Sequence, residues 1–586
     1  MSPKKIFITA ILMILSLSAM AQRLGFNNKI NQTLQYIDRF YVEDVNTDKI
    51  MDKGIESMLQ ELDPHSVYIP AKDVKKSTEA LYGNFEGSGV AFQIMKDTIN
   101  IVEVIKGGPS ETVGILPGDK IITINDKPAI GDSITNSWVF KRLRGPKGSH
   151  VKIGIKRGNN NNIIDFDVVR DKIPIKSVDT YFMINKNTGY IALIRFAATS
   201  AEEVRTAINE LKEQGMENLI FDLRGNGGGF MNAAVDICDE FLPEDKLIVY
   251  TEGLNQSNEY LKSTEKGSFE KGRLVILIDE NSASSSEIVS GAIQDHDRGI
   301  IIGRRSFGKG LVQRMFPLND GGQLRITTSR YHTPSGRCIQ KPYNDGLEAY
   351  YNDIMNRYNN KELIDPDSIR VPDSLKYFTT KKRVVYGGGG IVPDIFVPID
   401  TTRASDYYIE IRGKGLINNF TLEYVNKNRD NLLKKYPTFE EFDKNYHHLK
   451  VEDEFYAYAE KAGIKKNVVK PDWIIQWMSV ALREEIKDTT STLNGDTYSE
   501  MAKALLEDPK IFEKVIEKAT AEDKKNKEII KKSNDFIEHQ IKGLIARNLY
   551  GVQYYYEVLR ATDKGYKKAV DVIENGRLFR KMKITH

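Results

Sequence analysis

The sequence predicts a multidomain α/β protein, and three observations support this fold class. The chain has 586 residues, which is more than one hydrophobic core supports. Hydrophobic residues make up 40% of it and charged residues 28%, a composition typical of a globular protein that folds in water. Between residues 171 and 340, apolar runs typical of strands alternate with runs at helical spacing, which indicates parallel strands joined by helical crossovers.

The N-terminal residues have the features of an export signal. Lys4 and Lys5 precede an apolar run that begins at Ile6, and an A-x-A-like cleavage site ends at Ala21. We therefore predict a signal peptide over residues 1–21 and an exported, periplasmic protein. The alternative is an uncleaved N-terminal segment that associates the protein with the inner membrane.

Four segments of different composition follow the predicted signal. Apolar residues at helical spacing predict a helical N-terminal pre-domain, and short runs separated by glycines predict a small β-rich module. The α/β core comes next, and a charged, mostly helical C-terminal region ends the chain. The predicted boundaries are 22–80 for the pre-domain, 81–170 for the β-rich module, 171–400 for the core, with a polar, tyrosine-rich insertion at about 343–385, and 401–586 for the C-terminal region.

Charge, cysteine content and histidine spacing exclude several classes of protein. The formal net charge is only +3, so no global field attracts nucleic acid and no such partner is expected. Cys238 and Cys338 are too few for a disulfide framework, but one bridge and two separate thiols both stay open. His296 and His332 are not in metal-ligand spacing, so no metal is expected.

Three segments that follow apolar runs contain residues that could perform chemistry. Ser284 lies in a small-residue turn before a helix predicted near Ser285, where amides and the helix dipole stabilise negative charge; a simple helix cap is the alternative. The glycines within residues 222–230 could bring backbone amides into a cleft, or form only a tight turn. Residues 303–313 nearly match a P-loop, but Gly310 replaces the required Ser or Thr, so nucleotide binding is not expected.

Lys309, in the third segment, is a candidate general base. An extended backbone there would place Lys309, Leu311 and Gln313 on one face, so that Gln313 could hold the amine. A lysine removes a proton only when it is neutral, which requires burial to lower its pKa. An exposed loop lysine, which would stay charged, is the alternative.

Together these segments resemble the C-terminal processing peptidases, also called tail-specific proteases, over roughly residues 30–400. The motifs occur in the order typical of that family: LDPHSVYIP, GSGVAF, GILPGDKIITIND, LRGPKG, DLRGNGGG, SASSSEI, FGKGLVQ, YHTPSGRCIQ and GIVPDI. The resemblance implies an α/β protease core of the crotonase-like type, with an inserted PDZ domain as the β-rich module.

The resemblance also implies roles for individual residues of the core. Ser284 is the implied nucleophile, and Lys309, which follows it by 25 residues, is the implied general base, with Gln313 as the third member. The implied oxyanion hole consists of the backbone amides of Gly228 and Ser285. The family commonly has alanine where this chain has Ser285, so the assignment of the nucleophile among three consecutive serines rests on the motif.

In the PDZ segment, the resemblance implies a loop that binds the carboxylate of a peptide while the peptide adds to a sheet edge. This loop contains Gly87, Ser88, Gly89 and Val90. Arg144 matches a family arginine that couples the position of the PDZ domain to the active site.

The implied function is that of an exported serine endopeptidase that recognises protein C-termini through its PDZ domain and cleaves by Ser–Lys acyl-enzyme chemistry. No cofactor is expected. The expected partners are proteins or peptides with exposed C-termini, an adaptor protein and further copies of the chain. Two alternatives stay open: a catalytically inactive PDZ-bearing peptide-binding or scaffold protein on the same fold, and a hydrolase that pairs serine with His332 or His296.

Overall fold

The computed structural model describes residues 29–95, 97–158, 162–265, 267–401, 405–465, 481–482 and 510–584. The predicted signal peptide at 1–21 lies outside these residues. Within these ranges, the structure contains no helix that is both long and apolar enough to span a membrane. Cys238 and Cys338 are both free thiols, which answers the question that their spacing left open.

The pre-domain consists of helices and one short strand that joins it to the core. Its elements are α1 (29–40), α2 (Thr47–Gln60), β1 (Val67–Ile69) and α3 (Ala71–Tyr82). The Asn46 side chain caps α2 by accepting a hydrogen bond from the amide of Lys49. Strand β1 pairs antiparallel with Gln323–His332 of the core, so the segment between α2 and β1 is held against the core.

The β-rich module is a sheet closed by a short helix. Its elements are β2 (Asn84–Gly87), β3 (Val90–Met95), β4 (Thr98–Val104), α4 (Pro109–Thr112), β5 (Lys120–Ile124), β6 (Lys127–Pro128), α5 (Asn136–Leu143), β7 (His150–Lys156), β8 (Ile163–Val169) and β9 (Asp171–Pro174). The strand order is β3-β4-β5-β7-β8, with β6 beside β5, so β3 is an edge strand. Strands β2 and β9 pair antiparallel at the entrance to the module.

The core is a six-stranded, mostly parallel sheet in the order β10-β11-β12-β15-β16-β21. The core region also contains strands outside this sheet: β13, β14, β17 and β18 form a second sheet with β1, and β19 pairs with β20. In chain order, the elements of the core region are β10 (Val178–Met183), β11 (Thr188–Leu193), α6 (Ser200–Glu213), β12 (Asn218–Asp222), α7 (Met231–Asp239), β13 (Leu247–Gly253), β14 (Gln256–Lys262), β15 (Leu274–Ile278), α8 (Ser285–Asp295), β16 (Ile300–Gly303), β17 (Leu311–Pro317), β18 (Gln323–His332), α9 (Leu347–Tyr351), α10 (Asp353–Asn359), β19 (Lys376–Phe378), β20 (Val384–Tyr386) and β21 (Ile395–Phe396). From β11 to β21 all neighbouring strands of this sheet are parallel, and β10 is antiparallel to β11. The prediction of an α/β core with parallel crossovers is confirmed.

The C-terminal region forms a helical bundle and then returns to the core. Its elements are α11 (Asp406–Gly413), α12 (Leu416–Lys435), α13 (Phe439–Asn445), α14 (Val451–Lys461), α15 (Lys510–Tyr550), α16 (Val552–Arg560), α17 (Lys564–Asn575) and α18 (Arg577–Lys581). A separate hydrophobic cluster joins α11–α14 with α15 and α16. Helices α17 and α18 instead pack on the six-stranded sheet.

Both faces of the core sheet are buried, which explains why its strands are continuously apolar. Residues such as Ile191, Phe221 and Ile276 point to the face covered by α6, α7 and α8. Their sequence neighbours, such as Ile220 and Val275, point to the opposite face. Residues of α17 and α18 cover that second face. Residues 564–584 therefore complete the hydrophobic core around the α/β sheet, although the whole C-terminal region was predicted as a separate segment.

Phe579→Ala should lower the free energy of unfolding by about 3–5 kcal/mol, because it leaves a cavity at a fully buried site between α18 and the sheet. Denaturant-induced unfolding of the whole chain measures this change. Arg580→Ala, at an exposed position of the same helix, is the matched control and should change stability by less than about 0.5 kcal/mol. Equal stability of the two variants would contradict the packing of α18 on the sheet.

Candidate active site

Ser284 has an unusual backbone conformation at the junction between β15 and α8. Its φ is 55° and its ψ is −113°, outside the regions that a residue with a side chain normally adopts. Such a conformation costs on the order of 1–3 kcal/mol, so the surrounding structure must impose it, and residues of this kind cluster at functional sites.

The three consecutive serines differ sharply in their surroundings. The Ser285 hydroxyl lies 3.2 Å from the carbonyl oxygens of both Gly229 and Phe230, and the Ser286 hydroxyl donates to the carbonyl of Asn226 at 2.8 Å. Both side chains are buried. Ser284 is partly exposed, and its hydroxyl donates no hydrogen bond to any described residue. Of the three, Ser284 therefore has the hydroxyl that is available to a substrate.

A buried carboxylate holds Ser284 and Lys309 side by side. Glu287 Oε2 accepts hydrogen bonds from the amides of Ser284 and Lys309, each at 2.8 Å. Its Oε1 accepts from the amide of Gly308 at 2.7 Å and from the hydroxyl of Ser306 at 2.5 Å. Burial raises the pKa of Glu287, and these four donors oppose that effect. One carboxylate thus ties the turn before α8 to the loop before β17.

Tyr331 reinforces the same contact from strand β18. Its buried hydroxyl lies 3.1 Å from the carbonyl oxygen of Ser284 and 2.9 Å from that of Lys309. Glu287 and Tyr331 were not singled out from the sequence. The spacing of Ser284 and Glu287 matches a helix capping box, which indicates the contact with the Ser284 amide. The other three donors lie about 20 residues further along the chain, and no local pattern indicates them.

Lys309 is partly buried, and this burial lowers the pKa of its amine. The carboxylates of Glu287 and Asp63 raise the pKa and so oppose the effect, whereas Arg325 lowers it further. Within the part of the chain that the structure describes, Lys309 forms no ion pair. The environment is therefore of the kind that a neutral lysine requires.

The structure gives Gln313 a different partner from the predicted one. Its side-chain amide lies 3.2 Å from the hydroxyl of Thr327, which donates to Asp63 Oδ1 at 3.0 Å. Strand β17 begins at Leu311, after Lys309, and its pairing with β18 shifts register between Val312 and Gln313. Lys309 therefore lies outside the strand that contains Gln313, so the alternation of β17 does not extend to it. The register shift leaves Thr328 of β18, and no residue of β17, without a partner.

Gly228 lies directly against the turn that contains Ser284. Its φ is 95°, and a Cβ at this position would lie 2.8 Å from the Ser284 Cβ and 3.0 Å from the Ser285 amide nitrogen. Only glycine permits this approach without strain. Its own amide donates to Asn226 Oδ1 at 2.9 Å, whereas the Ser285 amide has no acceptor among the described residues. Of the two amides predicted for an oxyanion hole, only that of Ser285 is open in this conformation.

The histidines considered from the sequence do not contact Ser284. His296 Nε2 lies 2.6 Å from the carbonyl of Leu247, and His332 lies near Gly336 and Glu252. The structure thus gives no support to a hydrolase that uses either of them.

His65 was not among the site residues predicted from the sequence. The charge of Lys309 acts on its imidazole. Its Nε2 lies 2.8 Å from the hydroxyl of Tyr350 in the insertion. Burial and the charge of Lys309 lower its pKa to about 4, so the imidazole is neutral at pH 7. The motif LDPHSVYIP contains this residue, but the family resemblance assigned it no role.

In the PDZ segment, the four predicted loop residues have different roles. Gly87 pairs with Asp171 at the end of β2, and the amide of Ser88 donates to the carbonyl of Leu143 at 3.1 Å. Gly89 has a φ of 82°, and its amide has no acceptor within the described chain, while Val90 begins β3. Gly89 is therefore the member of the loop that is best placed to bind a carboxylate.

Arg144 links the β-rich module to the pre-domain. Its guanidinium pairs with Glu79 of α3 at 2.5 Å and lies over the ring of Phe85 at 4.6 Å. On the same helix, Ser77 accepts a hydrogen bond from Arg325 of strand β18 at 3.2 Å. These contacts form a continuous connection from the β-rich module to the strand beside Lys309.

Comparisons with known proteins agree with this architecture. Residues 187–349 match peptidase family S41, residues 87–168 match a PDZ domain, and residues 16–73 match the activating protease CtpB N-terminal domain. Residues 407–472 and 481–551 match a family of unknown function.

Relatives cover most of the chain before the C-terminal region. The carboxy-terminal-processing protease of Bartonella bacilliformis is 34% identical over 349 residues, which are 57% of this chain and 79% of that protein. The carboxy-terminal processing protease CtpA of Bacillus subtilis is 34% identical over 315 residues, 54% of this chain and 66% of that protein. The photosystem II D1 C-terminal processing protease is 22% identical, with a TM-score of 0.33, over 63% of this chain and 92% of that chain; this low similarity adds nothing to the fold assignment.

Proposed function

Because the chain belongs to the carboxy-terminal processing protease family and is a PDZ-containing serine-type peptidase, we propose that it is exported and cleaves polypeptides by Ser–Lys acyl-enzyme chemistry. Ser284 is the proposed nucleophile and Lys309 the proposed base. Substrates are proteins or peptides whose exposed C-termini bind the PDZ domain.

The observation that carries this proposal is the strained turn at Ser284, held beside a lysine of lowered pKa by the shared Glu287 carboxylate. Ser284 is the N-cap of α8 and forms a capping box with Glu287, but a cap alone would not require a positive φ at this residue. A solvated lysine would not have a lowered pKa. Both alternatives from the sequence therefore explain the site less well than catalysis does.

The proposed reaction begins when neutral Lys309 takes the proton of the Ser284 hydroxyl and the oxygen attacks the substrate carbonyl. The Ser285 amide stabilises the oxyanion, and the Gly228 amide joins it after leaving Asn226. The protonated Lys309 then donates its proton to the departing amine, and the acyl-enzyme forms. Water attacks the ester, Lys309 accepts the proton from this water and returns one to Ser284, and the new carboxylate leaves.

An acylating serine-protease inhibitor tests this proposal directly. Mass spectrometry of the labelled, digested protein should locate one adduct on Ser284 and none on Ser285 or Ser286. Labelling should fail in denatured protein, since the reactivity depends on the folded site. Absence of any adduct in the folded protein would favour the alternative of a catalytically inactive PDZ-bearing protein.

Export is proposed on the basis of residues 1–21 alone. The mature protein recovered from the periplasm should then begin at Gln22, which N-terminal sequencing measures. A mature chain that retains the apolar run would instead indicate membrane attachment.

A further inference from the structure

The C-terminal helical region contacts the PDZ domain at the edge strand that a substrate's tail is expected to join. We propose that helix α12 forms one wall of the tail-binding site and that Asn419 selects among the side chains of the bound tail. This inference rests on the proposed function, because it assumes that C-terminal tails of substrates bind the PDZ domain. It assigns a role to the region that matches a family of unknown function.

Two asparagines of α12 touch the PDZ domain. The Gln93 side chain of β3 donates a hydrogen bond to Asn419 Oδ1 at 2.5 Å. A Cβ at Gly118, which lies just before β5, would be 3.1 Å from Asn426 Oδ1. Seven residues separate Asn419 from Asn426, so both lie on one face of the helix. The contact therefore follows the helix for two turns.

Leu422, which lies between these asparagines on the same face, supports a packed interface. Its side chain is only 4% exposed, yet it does not belong to the hydrophobic cluster of the helical bundle. The neighbouring Phe420 and Val425 do belong to that cluster. Helix α12 thus has one buried face toward its own bundle and a second toward the PDZ domain.

The edge of β3 determines which residues of a tail would meet this wall. A peptide strand added to β3 would lie about 4.8 Å from it, with side chains alternating between the two faces of the sheet. Phe92 packs against the PDZ core, and its ring lies 5.2 Å from that of the half-exposed Phe140 on α5. The adjacent Gln93 points to the opposite face, toward Asn419. Tail residues should therefore alternate between an apolar site near Phe140 and a polar site near Asn419.

The wall is also anchored to the protease domain. In the C-terminal region, Asp563 pairs with Arg224 at 2.8 Å, and the hydroxyl of Tyr556 hydrogen-bonds the carboxylate of Asp179. Arg224 immediately precedes the glycine loop that lies against Ser284. The position of α12, and with it the path of a bound tail, is thus set relative to the catalytic centre.

A charge exchange at Asn419 tests the inference in the full-length chain carrying Ser284→Ala, so that bound peptides are not consumed. The probes are fluorescent decapeptides with a free C-terminus and either Lys or Glu at each of the last four positions. Asn419→Asp should favour Lys, and Asn419→Lys should favour Glu, by about two- to five-fold in affinity. These preferences should appear at the positions that face Gln93 and not at those that alternate with them. Added salt should weaken both preferences.

Asn418→Asp and Asn418→Lys are the matched controls, because this neighbour on α12 is exposed. They should leave all preferences unchanged. The inference is overturned if the Asn419 variants behave like the Asn418 variants, if they alter affinity equally at all four positions, or if amidated peptides bind as well as free ones. Peptide cleavage by the chain with Ser284 intact is measured separately, so a failure of this inference is distinguished from a failure of the proposed catalysis.

Discussion

Ser284→Ala should abolish proteolysis and lower kcat/KM by roughly 10⁴-fold or more, because it removes the proposed nucleophile and the hydroxyls of Ser285 and Ser286 are buried and hydrogen-bonded elsewhere. The residual rate would come from substrate binding and the open amide of Ser285. The measurement is steady-state cleavage of a peptide with a free C-terminus. Retention of full activity would refute the assignment of the nucleophile.

The neighbouring serine provides the matched control. Ser286→Ala removes a buried hydroxyl that binds the Asn226 carbonyl, and it should cost about 1 kcal/mol of stability while cleavage continues. Ser284→Gly offers a second measurement, since glycine adopts a φ of 55° without strain. This variant should be inactive but more stable than Ser284→Ala, by on the order of 1 kcal/mol.

Lys309→Met should lower kcat by roughly 10³-fold or more, because it keeps the volume of the side chain but removes the base. Lys309→Arg should be similarly inactive, since a guanidinium does not lose its proton in this pH range. If an amine of lowered pKa is the base, kcat/KM of the unmodified enzyme should rise with pH through an ionisation below the ordinary lysine value of 10.5. Lys309→Met should lose this rise.

The same ionisation has a consequence for stability. The pKa of Lys309 is lower in the folded than in the unfolded chain, so the unfolded chain binds more protons between the two values. Stability should therefore increase as pH rises through that window, and Lys309→Met should remove this contribution.

Glu287→Gln removes a carboxylate that raises the pKa of Lys309. The rise of any remaining activity with pH should therefore shift to lower pH values. An unchanged profile in both Lys309→Met and Glu287→Gln would contradict the role of Lys309.

Much of the fold could be predicted because the relevant signals are local. Continuous apolar strands alternating with helical spacing predicted the parallel core, and glycine-separated β runs predicted the PDZ domain, which the comparisons confirm. The motif around Ser284 likewise located the turn whose strained conformation the structure displays. These features depend on residues that are near one another in the chain.

Other features could not be predicted because they join distant parts of the chain. Three of the four donors to Glu287 lie in the loop before β17, so these contacts depend on how α8 packs against that loop. Gln313 contacts Thr327 because β17 and β18 pair in a register that places the two residues opposite each other. The packing of α17 and α18 on the core sheet could not be predicted either, because these helices and the strands that they cover are far apart in the chain. An amphipathic helix shows that it has an apolar face but does not show which surface that face will cover.

By itself, the sequence determined the classes of secondary structure, the order of the domains and the residue types available for acyl transfer, because backbone propensity and side-chain chemistry act over short stretches. Only the tertiary structure decided which serine of three has an open hydroxyl, which amides remain available and which helices enclose the core and the PDZ edge. The physical reason is that burial, pKa and hydrogen-bond availability depend on what surrounds a group in space. Those surroundings come largely from residues far away in the chain.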